Sequence, residues 1–309
     1  MREFLIPLAG GLGVFLFGLA LMRHGLETLA LPYIQKLLAR LTVTPWRGFL
    51  TGTLAAAVLH SSSAVTMLAV GFVGAGVLPF AQTIGLILGA NVGTTITLEM
   101  LTLPIDAMVL PGLVIGIGLL FFPAQKVRPV GAIAAGISLL FIGLAMMRLI
   151  AEPLTQHLWF GHGLSWASRH LTFSFLFGLL ITAVFQSSTA AIALLMGLMS
   201  AGELSMAAGI AYVLGSNVGT CATALLAALT GGAEAKKVAL AHLLLNLAGA
   251  VILFPLIPWY ADHVAVWGGA PATQIAHAQL LFNLLCSLAV LPWARQFAAC
   301  VQWVYRQLF

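Results

Sequence analysis

Seven apolar runs, most of them close to the length of a membrane-spanning helix, dominate this chain of 309 residues. A helix needs about 20 apolar residues to cross roughly 30 Å of hydrocarbon. Only 7% of the residues are charged, whereas a soluble domain carries about 25%. The sequence therefore predicts an all-α polytopic membrane protein, and the net charge of +5 is assigned to loops rather than to nucleic-acid binding. The runs are 4–22, 80–98, 107–122, 130–147, 206–229, 238–257 and 274–291.

Two further apolar stretches, 48–59 and 173–185, are too short to cross a bilayer. They stop at His60-Ser61-Ser62-Ser63 and at Gln186-Ser187-Ser188-Thr189. Polar backbone at membrane depth persists only where protein buries it or where it lines a wet cavity. Because Ser and Thr are favoured helix N-caps, each motif is predicted to open a second half-helix and to form a re-entrant helical hairpin. The predicted half-helices are 64–78 and 190–204.

The charges between the runs predict an orientation in the membrane. Lys and Arg favour cytoplasmic loops, and segment 23–47 carries four of them, so it is expected to be a cytoplasmic loop. Segment 99–106 carries neither and is expected outside. Alternating crossings then place the N-terminus outside and the C-terminus inside. The four basic residues are Arg23, Lys36, Arg40 and Arg47.

An internal duplication organises the chain. Gln186 follows His60 by 126 residues and Asn217 follows Asn91 by the same distance, and 17 of 38 positions are identical between 60–97 and 186–223. The charges give the two copies opposite orientations, which is the inverted repeat of many secondary transporters. The chain is thus predicted to be one transmembrane transport domain. Its predicted parts are repeat 1 (about 4–123), repeat 2 (about 130–257) and an extra C-terminal helix (about 274–293).

The duplicated serine motifs are candidates for binding an oxyanion. The N-terminus of a half-helix presents unpaired N–H groups and the positive end of the helix dipole, and the hydroxyls add further donors. Neither motif contains Lys or Arg, so hydroxyls, dipoles and co-ions are expected to hold the anion. The predicted phosphate ligands are Ser61, Ser62, Ser63, Gln186, Ser187, Ser188 and Thr189.

A second duplicated string, Asn-Val-Gly-Thr, begins at Asn91 and again at Asn217. Amide, hydroxyl and freed backbone oxygens are hard ligands suited to Na⁺. Two pairs spaced four residues apart share helix faces and are interpreted as tethers between helices: His242 with Asn246, and Gln279 with Asn283. The glycine stripes beside both strings predict close helix packing. The predicted sodium ligands here are Asn91, Thr94, Thr95, Asn217 and Thr220.

These residues resemble the type II sodium/phosphate cotransporter family, specifically its bacterial members. The doubled serine motif, the strings 89–95 and 215–220, and Ala241–Asn246 carry the resemblance. It implies Na⁺-coupled phosphate transport by alternating access in the bacterial inner membrane, with no organic cofactor. His60 occupies a position where the family has Gln, and it is added to the predicted sodium ligands. Cys221 occupies the position in the second copy that corresponds to Thr95 in the first. The helical PhoU-type domain of some relatives is not expected in this chain.

Alternatives remain open at this stage. The same chemistry suits another oxyanion, a proton-coupled phosphate carrier that uses His60, or a phosphate exporter. An intramembrane serine hydrolase that uses a motif Ser with His242 is disfavoured, because catalysis gives no reason to duplicate the motif in opposite orientations and no nucleophile elbow is present. The protein is therefore predicted not to be an enzyme. Small-residue stripes pack within and between protomers alike, which leaves a homo-oligomer open.

Overall fold

The computed structural model describes residues 2–155, 157–200, 202, 204–229 and 232–308. Within those ranges the regular structure is helical, without strands, and six helical runs are long and apolar enough to cross a bilayer. A seventh arises if the bent pair 161–169 and 171–185 is counted as one span. The prediction of an all-α polytopic membrane protein is confirmed.

The helices of the described residues are numbered in chain order. They are α1 (Arg2–Leu41), α2 (Pro45–Leu59), α3 (Ser62–Gly74), α4 (Phe80–Thr94), α5 (Ile96–Met100), α6 (Asp106–Leu120), α7 (Arg128–Thr155), α8 (Leu158–Arg169), α9 (Leu171–Phe185), α10 (Ser188–Met199), α11 (Met206–Leu229), α12 (Ala233–Leu253), α13 (Ile257–Val266), α14 (Pro271–Val290) and α15 (Ala294–Leu308).

Helices α1 and α7 pack along each other in opposite directions. Gly18 of α1 lies against Gly136 of α7. Gly25, one heptad further along α1, lies against Pro129, which is one heptad earlier in α7. These glycines let the two backbones approach closely. Residues 18–23 in α1 correspond to 143–148 in α7, so corresponding segments of the two sequence copies run antiparallel here.

Helices α2, α3 and α4 fold back on one another as one unit. Where α2 and α4 touch, the residue numbers of the contacting positions increase in the same direction in both helices, so the two helices are parallel. Because α4 begins again beside the start of α2, the intervening α3 must run back in the opposite direction. The close pairs are Pro45 with Gly85, Phe49 with Gly89, and Thr53 with Gly93.

Helices α9, α10 and α11 repeat this arrangement in the second half. Gly215 lies against the carbonyl of Phe175, as Gly89 lies against that of Phe49, and Gly219 lies against Leu179. Helix α9 is therefore parallel to α11, and α10, which connects them in sequence, runs in the opposite direction. The predicted close packing at the glycine stripes is present in both halves.

Several predicted boundaries were wrong. Helix α1 continues without a break to Leu41 instead of ending near residue 22, so segment 23–47 is largely helix and not a loop. The half-helices are shorter than predicted, ending at Gly74 and Met199. The C-terminal helix predicted at about 274–293 corresponds to α14 and the 3-10 turn Leu291–Trp293 after it, and the further helix α15 follows.

Candidate functional site

The two hairpin tips have the same backbone geometry. His60 and Gln186 are left-handed, with φ of 50° and 51°, and they are the only non-glycine residues with positive φ in the described part of the chain. The following residues, Ser61 and Ser187, are extended, with φ of −154° and −152°. A left-handed backbone conformation is unfavourable for a non-glycine residue. Its occurrence at both tips indicates a functional site, because such strain is usually found where function requires it.

Each tip ends in a capped half-helix. The hydroxyl of Ser61 accepts a hydrogen bond from the Ala64 amide at 3.1 Å, and that of Ser187 accepts one from the Ala190 amide at 3.3 Å. Capping satisfies one of the free amides of the first turn. The remaining amides and the positive end of each dipole stay available to an anion.

Both serine motifs line one small cavity, here called the serine cavity. It brings together all seven predicted phosphate ligands although they come from hairpins 126 residues apart in sequence. Its volume is about 10 Å³, close to the space needed for one water molecule, so the tips are closed around it. The lining residues are Arg23, Ser61, Ser62, Ser63, Thr94, Gln186, Ser187, Ser188, Thr189 and Thr220.

Arg23 is the one charged side chain among the described residues lining the serine cavity. It lies in the middle of α1 and is half-buried, and its Nε donates to the carbonyl oxygen of His60 at 2.9 Å. The placement of Arg23 in a loop was therefore wrong, since it lies inside α1. The prediction that hydroxyls, dipoles and co-ions hold the anion stays a prediction, and the fold adds a guanidinium beside the predicted ligands. The corresponding residue of the second half, Arg148, is exposed.

A second polar cavity, here called the amide cavity, adjoins the first. It shares four residues with the serine cavity: Ser62, Thr94, Ser188 and Thr220. Asn91 and Asn217 also line it, as do four side chains that the sequence analysis assigned to tethers. Those four are His242, Asn246, Gln279 and Asn283.

The polar side chains of this cavity form two hydrogen-bonded groups. Asn217 Oδ1 accepts from Gln279 Nε2 at 3.0 Å and from Asn283 Nδ2 at 3.1 Å. His242 Nε2 lies 3.1 Å from Asn91 Oδ1. Because Asn91 is in the first half and His242 in the second, and Gln279 and Asn283 lie outside both copies, three parts of the chain meet here. The i, i+4 spacing signalled these residues, but only the fold shows that they face the predicted ligands.

Two predicted sodium ligands lie outside both cavities. The His60 imidazole bonds through Nδ1 to the Thr97 hydroxyl at 2.7 Å, and the Thr95 hydroxyl donates to the Val92 carbonyl at 2.7 Å. Helix α4 breaks at Thr95, whereas α11 continues through Asn217 to Leu229. Only the first Asn-Val-Gly-Thr string therefore stands at a helix end.

A comparison of the chain with protein-family models decides its family. The model described as Na⁺/Pi-cotransporter matches residues 14–149 and 159–266. The chain belongs to the Na⁺/Pi-cotransporter family. The resemblance drawn from the sequence motifs is confirmed.

Individual relatives of this cotransporter-family chain agree with the match. The uncharacterized protein YqeW of Bacillus subtilis is 36% identical over 78% of both chains. YjbB of Escherichia coli, named for inorganic phosphate export, is 29% identical over 84% of this chain and 48% of its own length. Human sodium-dependent phosphate transport protein 2C is 40% identical over 31% of this chain and 16% of its own length. No solved structure matches the chain at a comparable level.

Membership of the Na⁺/Pi-cotransporter family confirms two further predictions. The chain is an integral multi-pass membrane protein, since the family match coincides with six apolar spanning runs. It is a transporter and not an enzyme, because the family and the relatives with named activities are transport proteins. The serine-hydrolase hypothesis is therefore dropped.

Proposed function

We propose that this chain carries inorganic phosphate across the membrane, coupled to Na⁺, by alternating access. The observation that supports it best is the serine cavity, where two capped half-helix N-termini, eight hydroxyl side chains and Arg23 converge. A tetrahedral oxyanion needs many donors from several directions, and this cavity offers them on opposing sides. The family match and the names of relatives supply the substrate class.

Phosphate is proposed to lie between the hairpin tips. The motif hydroxyls and the free amides of α3 and α10 would donate to its oxygens, and the Arg23 guanidinium would balance its charge. Nε of Arg23 is already bonded to the His60 carbonyl. Its two terminal amino groups make no other hydrogen bond within the described residues, so they are free to form a paired contact with phosphate.

Sodium is proposed to bind in the amide cavity, beside the phosphate. Asn91, Thr94, Asn217 and Thr220 carry side-chain oxygens there, the ligand type that Na⁺ prefers. Asn217 Oδ1 accepts from both Gln279 and Asn283, so it would exchange one of these donors for the ion. Thr94 and Thr220 also line the serine cavity, so a cation held by them would lower the cost of burying phosphate. His60 and Thr95 are assigned no ligand role in this proposal.

Alternating access is proposed to follow from the duplication. Repeats at about 4–123 and 130–257 in opposite orientations would exchange conformations, with the N-terminus outside and the C-terminus inside an inner membrane. The serine cavity, at about 10 Å³, is too small for phosphate in this conformation. Binding and release would therefore require the two hairpin tips to separate.

The test is phosphate flux into proteoliposomes with and without an inward Na⁺ gradient. The gradient is expected to accelerate uptake of labelled phosphate by the unaltered protein. Ser61→Ala and Ser187→Ala should each reduce uptake at least tenfold, because each removes a ligand and also a helix cap worth about 1 kcal/mol. Equal flux with and without the gradient would refute the coupling.

A matched control separates the cap from the ligand. Ser205 caps α11 by accepting from the Ala208 amide at 3.2 Å, and it is exposed and lies away from both cavities. Ser205→Ala should cost similar stability and leave uptake unchanged. Since YjbB is named for export, efflux from phosphate-loaded vesicles should be measured in the same preparation, with sulfate and arsenate as competitors.

A further inference from the structure

A large apolar cavity lies between helix α8 and the second hairpin, and it is here called the elbow cavity. Its volume is about 380 Å³, within the range of about 300–1,000 Å³ that is typical of ligand pockets. The serine cavity and the amide cavity are each about 10 Å³. Helices α8, α9, α10 and α11 form the walls, and Leu8 of α1 also lines the cavity. None of the predicted phosphate or sodium ligands lines it, so it is a separate feature of the fold.

The elbow cavity suits an apolar ligand. Both hydroxyl groups in its lining already donate to backbone carbonyls: Ser174 to Ala167 at 3.0 Å, and Tyr212 to Ala191 at 3.1 Å. Three further aromatic rings line the cavity, those of Trp166, Phe173 and Phe177. An apolar cavity in which the hydroxyl groups are already paired holds water poorly and accepts apolar molecules.

The elbow cavity leads from the lipid-facing surface into the protein. Phe173 and Phe177 in its lining are each 41% exposed, whereas Leu195 and Tyr212 are 1% and 4% exposed. Helix α9, which carries both phenylalanines, contains no charged residue. The exposed side of α9 therefore faces hydrocarbon, and a molecule that enters here comes from the bilayer.

The bend between α8 and α9 sets the depth of the elbow cavity. The chain turns by 113° between residues 161–169 and 171–185. Helix α9 has 15 residues from this elbow to the hairpin tip, about 22 Å at 1.5 Å per residue. Since half of the hydrocarbon thickness is about 15 Å, a tip near the bilayer centre places the elbow at the level of the lipid headgroups. The cavity extends from α8 to Leu195 of α10 and so lies at the depth of the acyl chains.

The elbow also carries a positive charge. Arg169, in the last turn of α8, is exposed and forms no ion pair within the described residues. The end of α8 is held in place, because the Ser205 amide donates to the Ser168 hydroxyl at 3.1 Å and the Ser174 hydroxyl donates to the Ala167 carbonyl. A guanidinium at headgroup level attracts anionic lipids and can bond two phosphate oxygens at once.

We propose that the elbow cavity holds one acyl chain of an anionic phospholipid whose headgroup binds Arg169. The chain fits because the cavity is apolar, opens to the bilayer and lies at acyl-chain depth. An empty cavity leaves its lining without contacts on one side, so a chain from the adjoining bilayer gains contacts by entering. A lipid bound here touches α9 and α10, whose joined ends carry Gln186 and Ser187. It is therefore in contact with the hairpin whose tip moves in the proposed transport cycle.

The test uses phosphatidylglycerol with a photoreactive group at the end of one acyl chain, in phosphatidylcholine vesicles that contain the purified chain. Adducts formed on illumination are mapped by mass spectrometry of peptides. They are expected on Leu195 and Tyr212, which chains of the surrounding bilayer cannot reach from outside, as well as on Val184, which is 75% exposed. If Val184 is labelled and Leu195 and Tyr212 are not, the chain does not enter the cavity and the proposal fails.

Gly163→Trp obstructs the elbow cavity and has a matched control. Gly163 lines the cavity and Gly118 of α6 does not, and at both positions a Cβ would meet nothing within 4 Å. Gly163→Trp should reduce the adducts on Leu195 and Tyr212 at least fivefold relative to those on Val184, whereas Gly118→Trp should leave this ratio unchanged. The same ratio in both variants would contradict entry of the chain through the elbow cavity.

The headgroup is tested with a phosphatidylcholine probe that carries the same chain. It should label Leu195 about fivefold less than the phosphatidylglycerol probe, the effect of one basic residue on an anionic lipid. Arg169→Gln should remove this difference, and Arg306→Gln, which removes an exposed charge at the end of α15, should keep it. Equal labelling by both probes in the unaltered protein would overturn the role of Arg169. Because phosphate and Na⁺ are left out of these measurements, their outcome does not depend on the proposed transport function.

Discussion

Arg23→Gln is expected to reduce the affinity of the protein for phosphate by about 30-fold to several thousand-fold. Removing one partner of a buried charge pair costs about 2–5 kcal/mol, and Arg23 is the one charged side chain among the described residues lining the serine cavity. An ionised residue inside a membrane helix is costly and is kept where it serves a pathway. The measurement is equilibrium binding of labelled phosphate to the purified protein at saturating Na⁺.

Two further variants separate ligand binding from charge and from folding. Arg23→Lys retains the charge but loses the planar fork that bonds two oxygens at once, so it should bind phosphate with intermediate affinity. Arg40→Gln removes an exposed charge near the end of the same helix and should bind phosphate normally. If Arg23→Gln binds phosphate as tightly as Arg40→Gln, the guanidinium only braces the His60 carbonyl and is not a ligand.

The serine-motif residues that line the serine cavity could be predicted from the sequence because the motif occurs twice. A polar string repeated at the same offset inside apolar sequence has few structural explanations, and each copy marks its own hairpin tip through local chemistry. The left-handed turn at Gln186 and the cap at Ser187 depend on neighbours in sequence. Local rules were therefore sufficient to place these residues.

Arg23 could not be placed by the same reasoning. Rules for apolar runs end a span where charges appear, so a helix carrying Arg23, His24 and Glu27 was divided at Met22. In the fold the guanidinium bonds a carbonyl 37 residues away, at the hairpin tip. That partner exists only once α1 packs beside the tip, so the burial of this charge is decided by tertiary structure.

Sequence patterns were likewise insufficient to predict the contacts of the amide cavity. The spacing of Gln279 and Asn283 indicated a shared helix face, but not which face of which helix it meets. Their contacts with Asn217 depend on how α14, which belongs to neither sequence copy, packs against α11. Periodicity identifies a polar face, and only the packing of helices far apart in sequence identifies its partner.

Gly215→Ala is expected to prevent the protein from folding to its normal yield. A Cβ at this position would overlap the carbonyl oxygen of Phe175 in α9. Overpacking costs about 1–3 kcal/mol where side chains can move, and here the obstacle is backbone, so α9 and α11 must separate along their length. The same shift would displace Ser187 and Asn217, which α9 and α11 position. The measurements are the yield of monodisperse protein in detergent and its thermal midpoint.

The matched control is Gly13→Ala, for which the opposite sign is expected. Gly13 is exposed in the interior of α1, and a Cβ there would meet nothing within 4 Å. Ala stabilises a helix interior by about 1 kcal/mol relative to Gly, so this variant should keep or raise the thermal midpoint. Helix propensity alone would make both substitutions stabilising. A loss at Gly215 beside a gain at Gly13 would therefore measure the close approach of α9 and α11, and equal behaviour would show that these helices do not depend on that contact.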